Sequence, residues 1–355
     1  MSALSQTTRS ELEDTPEARR FSRSLVALHR FAILAAAATF VLVFAGGLVT
    51  STGSAMAVPS WPLDAGRLIP SQWGAGVLFE WGHRAIAGTV SILTLMLALW
   101  VWMAERRAWV RYTALAAFGL VVVQVVLGGI TVRLNLPLAV AVAHAMTGQA
   151  FFCLMVAIAL FTSPRWDTSP RFEKMAPLPR APGRGALTEL AATTTVIIYA
   201  QIVIGAVMRH MHAGLAIPDF PLAFGRLVPP MFSVPIAVNF AHRCGAVAVT
   251  AMVLWTVARA LRLYGDEPAI RRPALGLLVL LAMQIGLGAA TVLSRRAVIP
   301  TTSHVAVGAA VLATCLALAL RAYHLEGTSH AAGASDRAST RASRLDTPAR
   351  HEVGA

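Results

Sequence analysis

The 355-residue chain is 56% hydrophobic and only 13% charged, with a mean hydropathy of +0.64; a soluble domain carries about 25% charged residues, so a soluble globular protein is excluded. Thirty Lys and Arg against 17 Asp and Glu give a net charge of +13, but they fall in short clusters between long uncharged runs, which excludes a nucleic-acid-binding face. Three isolated cysteines, Cys153, Cys244 and Cys315, exclude a disulfide framework or a Cys-x-x-Cys metal site.

In chain order, residues 1–20 are polar and read as disordered within an N-terminal segment 1–30. Runs without Asp, Glu, Lys or Arg follow at 31–50, 85–104, 112–132 and 134–164, then at 190–208, 244–258, 273–294 and 297–320. About 20 residues at 1.5 Å each cross a hydrocarbon layer about 30 Å thick. The sixth run reaches that length once 240–243 is added. The fold class is therefore all-α and integral to the membrane, with eight transmembrane helices. Ala55-Met56-Ala57 mimics a signal-peptidase site, but the apolar run before it is too long for a signal peptide, and the first helix reads as a retained anchor. If both termini share a side, that side carries 22 of the 30 Lys and Arg residues. The positive-inside rule makes it the cytoplasm.

A shift of 159 positions lays 46–70 on 205–229 with nine identities in 25 pairs, including Pro59/Pro218, Pro62/Pro221, Gly66/Gly225 and Pro70/Pro229. The same shift superposes His83-Arg84 on His242-Arg243, and a shift of 160 lays Gln124, Gly128 and His144 on Gln284, Gly288 and His304. The chain is thus two tandem, pseudo-symmetric four-helix bundles, 31–162 and 187–322. A cytoplasmic linker, 163–186, joins them, and a disordered cytoplasmic tail, 323–355, follows. An even number of spans per half makes the repeats run the same way, about an axis along the membrane normal. The matching outer loops, 50–82 and 209–241, are rich in Pro, Gly and aromatics; such long connections are usually functional, the alternative being a cap over the helix ends.

His83, His144, His242 and His304 fall early in the even-numbered spans, beneath the outer surface. Ionisable groups at this depth cost a few kcal/mol and turn to the bundle interior. Two imidazoles from different helices can take both axial positions of a haem iron, whereas zinc calls for three or four ligands with thiolate or carboxylate among them. One haem per half is expected. Its propionates would call for cations, and Arg67, Arg84, Arg226 and Arg243 sit at equivalent positions; snorkelling interfacial arginines are the plainer account. Glu80 lies three residues before His83, on the same helical face, while its counterpart is Asn239. Glu80 can handle protons, orient His83 from behind, or simply sit at a helix start; the asymmetry favours chemistry in the first half. His210 and His212 align with Ser51 and Gly53 and read as surface residues.

Together these residues resemble the haem A synthase family over roughly 30–322. The likeness rests on Gly46-Gly47-Leu48-Val49-Thr50, Pro59-Ser60-Trp61-Pro62-Leu63, Glu80-Trp81-Gly82-His83-Arg84 and Gly128-Gly129-Ile130-Thr131-Val132 before His144. In the second half it rests on 214–222, His242-Arg243 and His304. The resemblance implies oxidation of the C8 methyl of haem O to a formyl group. It makes His242 and His304 the axial ligands of a haem b cofactor, His83 and His144 the ligands facing the substrate haem, and Glu80 the catalytic acid. It further implies a bacterial inner membrane, haem sites toward the outer face, and haem O synthase and an electron donor as membrane partners; homo-oligomerisation is left open. Many bacterial members carry a cysteine pair in the first outer loop, where this chain has Ala57, Val58 and Asp64, so a thiol step in that loop is in doubt. The rival functions are a non-catalytic di-haem b-type electron carrier, which leaves the Glu80/Asn239 difference unexplained, and a haem transporter, for which no charged mid-membrane pathway exists.

Overall fold

A computed structural model describes residues 16–62, 64, 66–167 and 186–345, with side chains placed for 24–62, 64, 66–164, 166 and 187–326. Eight long helices follow in order: α1 (Pro16–Ser51), α2 (Ala75–Ala104), α3 (Ala108–Arg133), α4 (Leu138–Phe161), α5 (Ala186–His210), α6 (Val234–Tyr264), α7 (Pro268–Leu293) and α8 (Val298–Leu345). Each contains a segment long and apolar enough to cross a membrane. This is a multi-pass membrane protein, as its composition requires. Backbone N–H and C=O groups find no water in lipid, and a helix satisfies them within itself.

The helix ends differ from the uncharged runs in an informative way. α2 starts at Ala75 and α6 at Val234, so Glu80 and Asn239, within the expected outer loops 50–82 and 209–241, lie inside the same helices as His83-Arg84 and His242-Arg243. A charge count cannot see this, because it stops a span at the first ionisable residue. α3 ends before Asn135 and Leu136, which adopt left-handed φ of 55° and 61°; Arg295 and Arg296 do the same after α7, at 53° and 69°. The uncharged stretch from 134 therefore begins with a turn, not a helix. At the termini, α1 starts at Pro16 and α8 continues to Leu345, which corrects the expected disorder of 16–20 and 323–345. The alanines recurring through 331–342 are strong helix formers. The outermost residues, 1–15 and 346–355, and most of the expected linker, 168–185, lie outside the described residues.

α1 to α4 close a ring in which each helix packs on the next and α4 returns to α1; α5 to α8 repeat it. The rings meet where α8 packs on α1 and α4, and α4 on α5, the pairing that two parallel repeats produce about a common axis. Each ring has its own core at the end away from the outer loops. The first holds Leu28, Leu97, Val101, Phe151, Met155 and Ile158; the second holds Leu187, Val253, Leu277, Leu312 and Leu318. Between the rings, Phe152 packs with Ala309 and Ala313. Lipid supplies little hydrophobic drive between helices, so close approach at small residues such as Ala32, Ala35, Ala114, Ala117 and Ala309 does the holding. With the inner ends filled by aliphatic side chains, the outer ends of the rings are left for the histidines.

Candidate functional site

Each histidine lies two to three turns into an even-numbered helix: His83 in α2, His144 in α4, His242 in α6, His304 in α8. These helices run in one direction, so all four rings lie at the outer-loop end. Each ring rests on a glycine of the preceding odd-numbered helix. A Cβ at Gly46 would lie 3.1 Å from His83 Cε1, at Gly128 3.4 Å from His144, at Gly205 2.9 Å from His242 and at Gly288 3.1 Å from His304. Those glycines are themselves repeat partners, 46 with 205 and 128 with 288. A side chain at Gly46, Gly205 or Gly288 would force its ring to shift, while one at Gly128 would meet His144 in van der Waals contact.

In the second half the His242 and His304 ring centroids are 6.5 Å apart and the planes make 72°. Two imidazoles sharing one metal at bonds of about 2.0 Å, with roughly 1.1 Å from nitrogen to ring centre, would have their ring centres about 6.2 Å apart. His304 Nδ1 lies 3.1 Å from the Gln284 carbonyl and donates to it, which leaves Nε2 with its lone pair free to accept; the Gln284 amide nitrogen donates there at 3.3 Å. Gln201 fixes His242, its amide nitrogen 3.0 Å from Nδ1 and 2.6 Å from the His242 carbonyl. In the first half His83 and His144 are within electrostatic reach of each other, and the Nδ1 of each is buried with no hydrogen-bond partner.

The donor set discriminates between metals. Among the described residues, no three His, Cys, Asp or Glu side chains converge, so a bare ion needing three or four protein ligands is poorly served. Two imidazoles per pocket suit an iron that brings its own four equatorial nitrogens. The residues present fit haem.

Glu80 is 4% exposed. Its Oε2 accepts the Val58 N–H at 2.7 Å and its Oε1 accepts Arg84 Nη2 at 2.6 Å. Arg84 also donates to the carbonyls of Val58 and Ser60, at 2.7 Å each. The second half builds the same clamp with neutral chemistry. Asn239 Nδ2 donates to the Ala213 carbonyl, its Oδ1 accepts Arg243 Nε at 3.0 Å, and Arg243 donates to the carbonyls of Ile217, Asp219 and Leu222. Asp219 ties that loop further by accepting the N–H groups of Phe224 and Gly225, both at 2.8 Å. These two hydrogen bonds hold its exposed carboxyl below the usual aspartate range. Both guanidinium groups of Arg84 and Arg243 are engaged with loop carbonyls. Arg67 and Arg226 lie exposed at the loop tips, in backbone bridges to Asp64 and Ala223.

A family model for cytochrome oxidase assembly proteins, COX15-CtaA, matches residues 29–316. The chain belongs to this family. Among its members, the Heme A synthase of Symbiobacterium thermophilum is 33% identical over 272 residues, covering 74% of this chain and 85% of its own. That of Geobacillus kaustophilus is 27% identical over 320 residues, covering 84% and 95%. That of Shouchella clausii is 28% identical over 237 residues, covering 65% and 76%. In this family member one outer residue departs from the sequence-based reading. His212 is exposed, as expected of a surface residue, but His210 is half-buried at the end of α5 and within electrostatic reach of His144, because α5 packs along α4 at the seam between the halves. Arg209, which sequence did not single out, reaches across that seam to α1, where it donates to the Gly47 carbonyl at 2.8 Å and to Ser51 Oγ at 2.7 Å. Thr302, two residues before His304, donates to the same Ser51 oxygen at 2.9 Å.

Proposed function

We propose that this protein makes haem A by oxidising the C8 methyl of haem O to a formyl group, using the first half as the substrate site and the second as a fixed haem b site. The observation that carries this is the seating of four histidines as two equivalent pairs, one per half, on repeat-related glycines, in a chain whose relatives are named Heme A synthase. Haem O lies between His83 and His144 with its isoprenoid tail toward lipid. A haem b held by His242 and His304 supplies electron transfer.

The chain's residues position and exclude. His83 and His144 fix the plane of the substrate, and the outer loop pinned by Arg84 and Glu80 covers the pocket from water. Two successive two-electron hydroxylations would take the methyl through a hydroxymethyl to a geminal diol that loses water to the aldehyde; each needs an oxidant from outside the chain, either dioxygen with a reductant or water with an electron acceptor. Glu80 is the acidic group nearest His83 along its own helix and has no acidic counterpart in the second half. It holds or moves a proton on this path, or stabilises positive charge at the methyl carbon. The membrane orientation that fits is both termini cytoplasmic with the haem pockets toward the outer face, and haem O synthase and an electron donor are the expected partners.

Coexpression in a host that makes haem O, followed by chromatography of extracted haems, tests the assignment. The wild type is expected to accumulate haem A or its hydroxylated precursor. Only haem b in the purified protein, with haem O unchanged in the membrane, would make it a di-haem electron carrier instead. Glu80→Gln keeps an oxygen for the Val58 N–H and is expected to retain bound haem while the rate of haem A formation falls by about a hundredfold or more, the scale of an acid–base contribution lost. Normal haem A from Glu80→Gln would reduce Glu80 to a loop clamp like Asn239.

A further inference from the structure

The two rims above the histidine pairs differ in charge. Arg209 ends α5 where the first half has Thr50, and Arg296 ends the α7–α8 turn where it has Leu136. Arg209 spends Nη2 on Gly47 and Ser51, yet its Nε is buried without a partner. An orphaned N–H on a buried cation is costly and calls for an acceptor. Arg296 lies within electrostatic reach of Arg209, with its side chain over Gly214, where a Cβ would meet its Cδ at 3.7 Å. Arg209 is in turn within electrostatic reach of His304. Among the described residues no carboxylate is paired with either arginine. Two like charges brought together beside a ligand histidine, one with an open buried donor, describe half of an anion site. Arg243, another cation of this rim, is already committed to loop carbonyls.

We propose that Arg209 and Arg296 form a carboxylate-binding pair that clamps the propionates of the haem held by His242 and His304. Its replacement by Thr50 and Leu136 in the first half is what makes one haem a retained cofactor and the other an exchangeable substrate. The proposal rests on the reading of the second pair as a haem site, and it places the asymmetry between the halves in haem retention as well as in Glu80. The Arg209–Ser51–Thr302 chain gives the clamp a second effect: it ties the seat of His304 to the end of α1 at Ser51, five residues beyond Gly46, the glycine under His83.

The test is the rate at which purified full-length protein in detergent gives up its second-half haem to excess apomyoglobin. Arg296→Gln changes a half-exposed turn residue that can keep its backbone conformation, so it is the primary variant; Arg209→Gln also unties α5 from α1 and serves as support. Losing a charge-assisted hydrogen bond is expected to speed release about tenfold to a hundredfold, with partial recovery in Arg296→Lys. The reduction potential of the retained haem should fall, because a nearby cation favours the form with one fewer positive charge. Protein loaded with haem dimethyl ester, which has no carboxylates, should release it equally fast in wild type and Arg296→Gln. Equal release of ordinary haem from both chains overturns the clamp. Unchanged haem content in His242→Ala overturns the haem reading of the pair itself, and the clamp with it.

Discussion

Glu80 and Asn239 occupy one position of the repeat and do one mechanical job, holding an arginine four residues on against the carbonyls of an outer loop. Carboxylate and amide both supply an acceptor for that arginine, but only the carboxylate can exchange a proton, so the substitution separates structure from chemistry within one molecule. Away from the pockets, Glu105 shows what an acid does when its role is structural. Burial pushes its carboxyl upward, but Arg107, bonding through backbone and guanidinium and adding its charge, with the Arg106 N–H beside it, holds it below the ordinary 4.5. A carboxyl depressed on folding contributes stability that is fully present above its unfolded value and is lost as pH falls through the folded one. The melting temperature of Glu105→Gln is therefore expected to lie below that of wild type at neutral pH, with the gap narrowing once pH drops under 4.5. A gap that stays constant into acid would assign the effect to packing.

At the scale of the helix pair, the unit that repeats is a histidine lying on a glycine of the neighbouring helix. Gly288 and Gly286 lie two residues apart on α7, but a Cβ at Gly288 would come within 3.1 Å of His304, whereas one at Gly286 meets nothing within 4 Å. Gly288→Ala is expected to displace the ring and cost most of the haem bound at the second pair, read as absorbance per chain. Gly286→Ala should leave the spectrum unchanged, and equal behaviour of the two would remove the seat as the cause. The four histidines and their repeat spacing are visible in the sequence, and folding brings the His242 and His304 rings to 6.5 Å. Gly46, Gly128, Gly205 and Gly288 were visible as repeat partners, but nothing in the linear order assigned them to ring positions, because each touches a histidine 16 to 37 residues further on in a different helix. The starts of α2 and α6 were missed for the opposite reason: ionisable residues that look like loop residues lie inside the helices, paired by partners that only folding supplies.

For the whole molecule, the two rings are joined by apolar packing deep in the seam and by the Arg209–Ser51–Thr302 hydrogen bonds at its outer end. If the termini share a side, that side carries 22 basic residues against 8 on the other, and the positive-inside rule then predicts cytoplasmic termini. A phosphatase or fluorescent reporter fused after residue 326 is expected to read cytoplasmic, and one inserted in the 211–233 loop to read external; the reverse pattern would invert the placement of both pockets. Eight spans, the duplication, the paired histidines and the Glu80/Asn239 difference follow from the amino-acid order, because hydropathy, charge and repeat spacing are properties of a line. The clamping of loops by Arg84 and Arg243, the half-burial of His210 and the reach of Arg209 across to α1 were decided by tertiary structure. Arg84 and Arg243 reach back 21 to 26 residues to fold their loops down, while His210 and Arg209 depend on which helices become neighbours across the seam, Arg209 over 162 residues, and linear order carries neither.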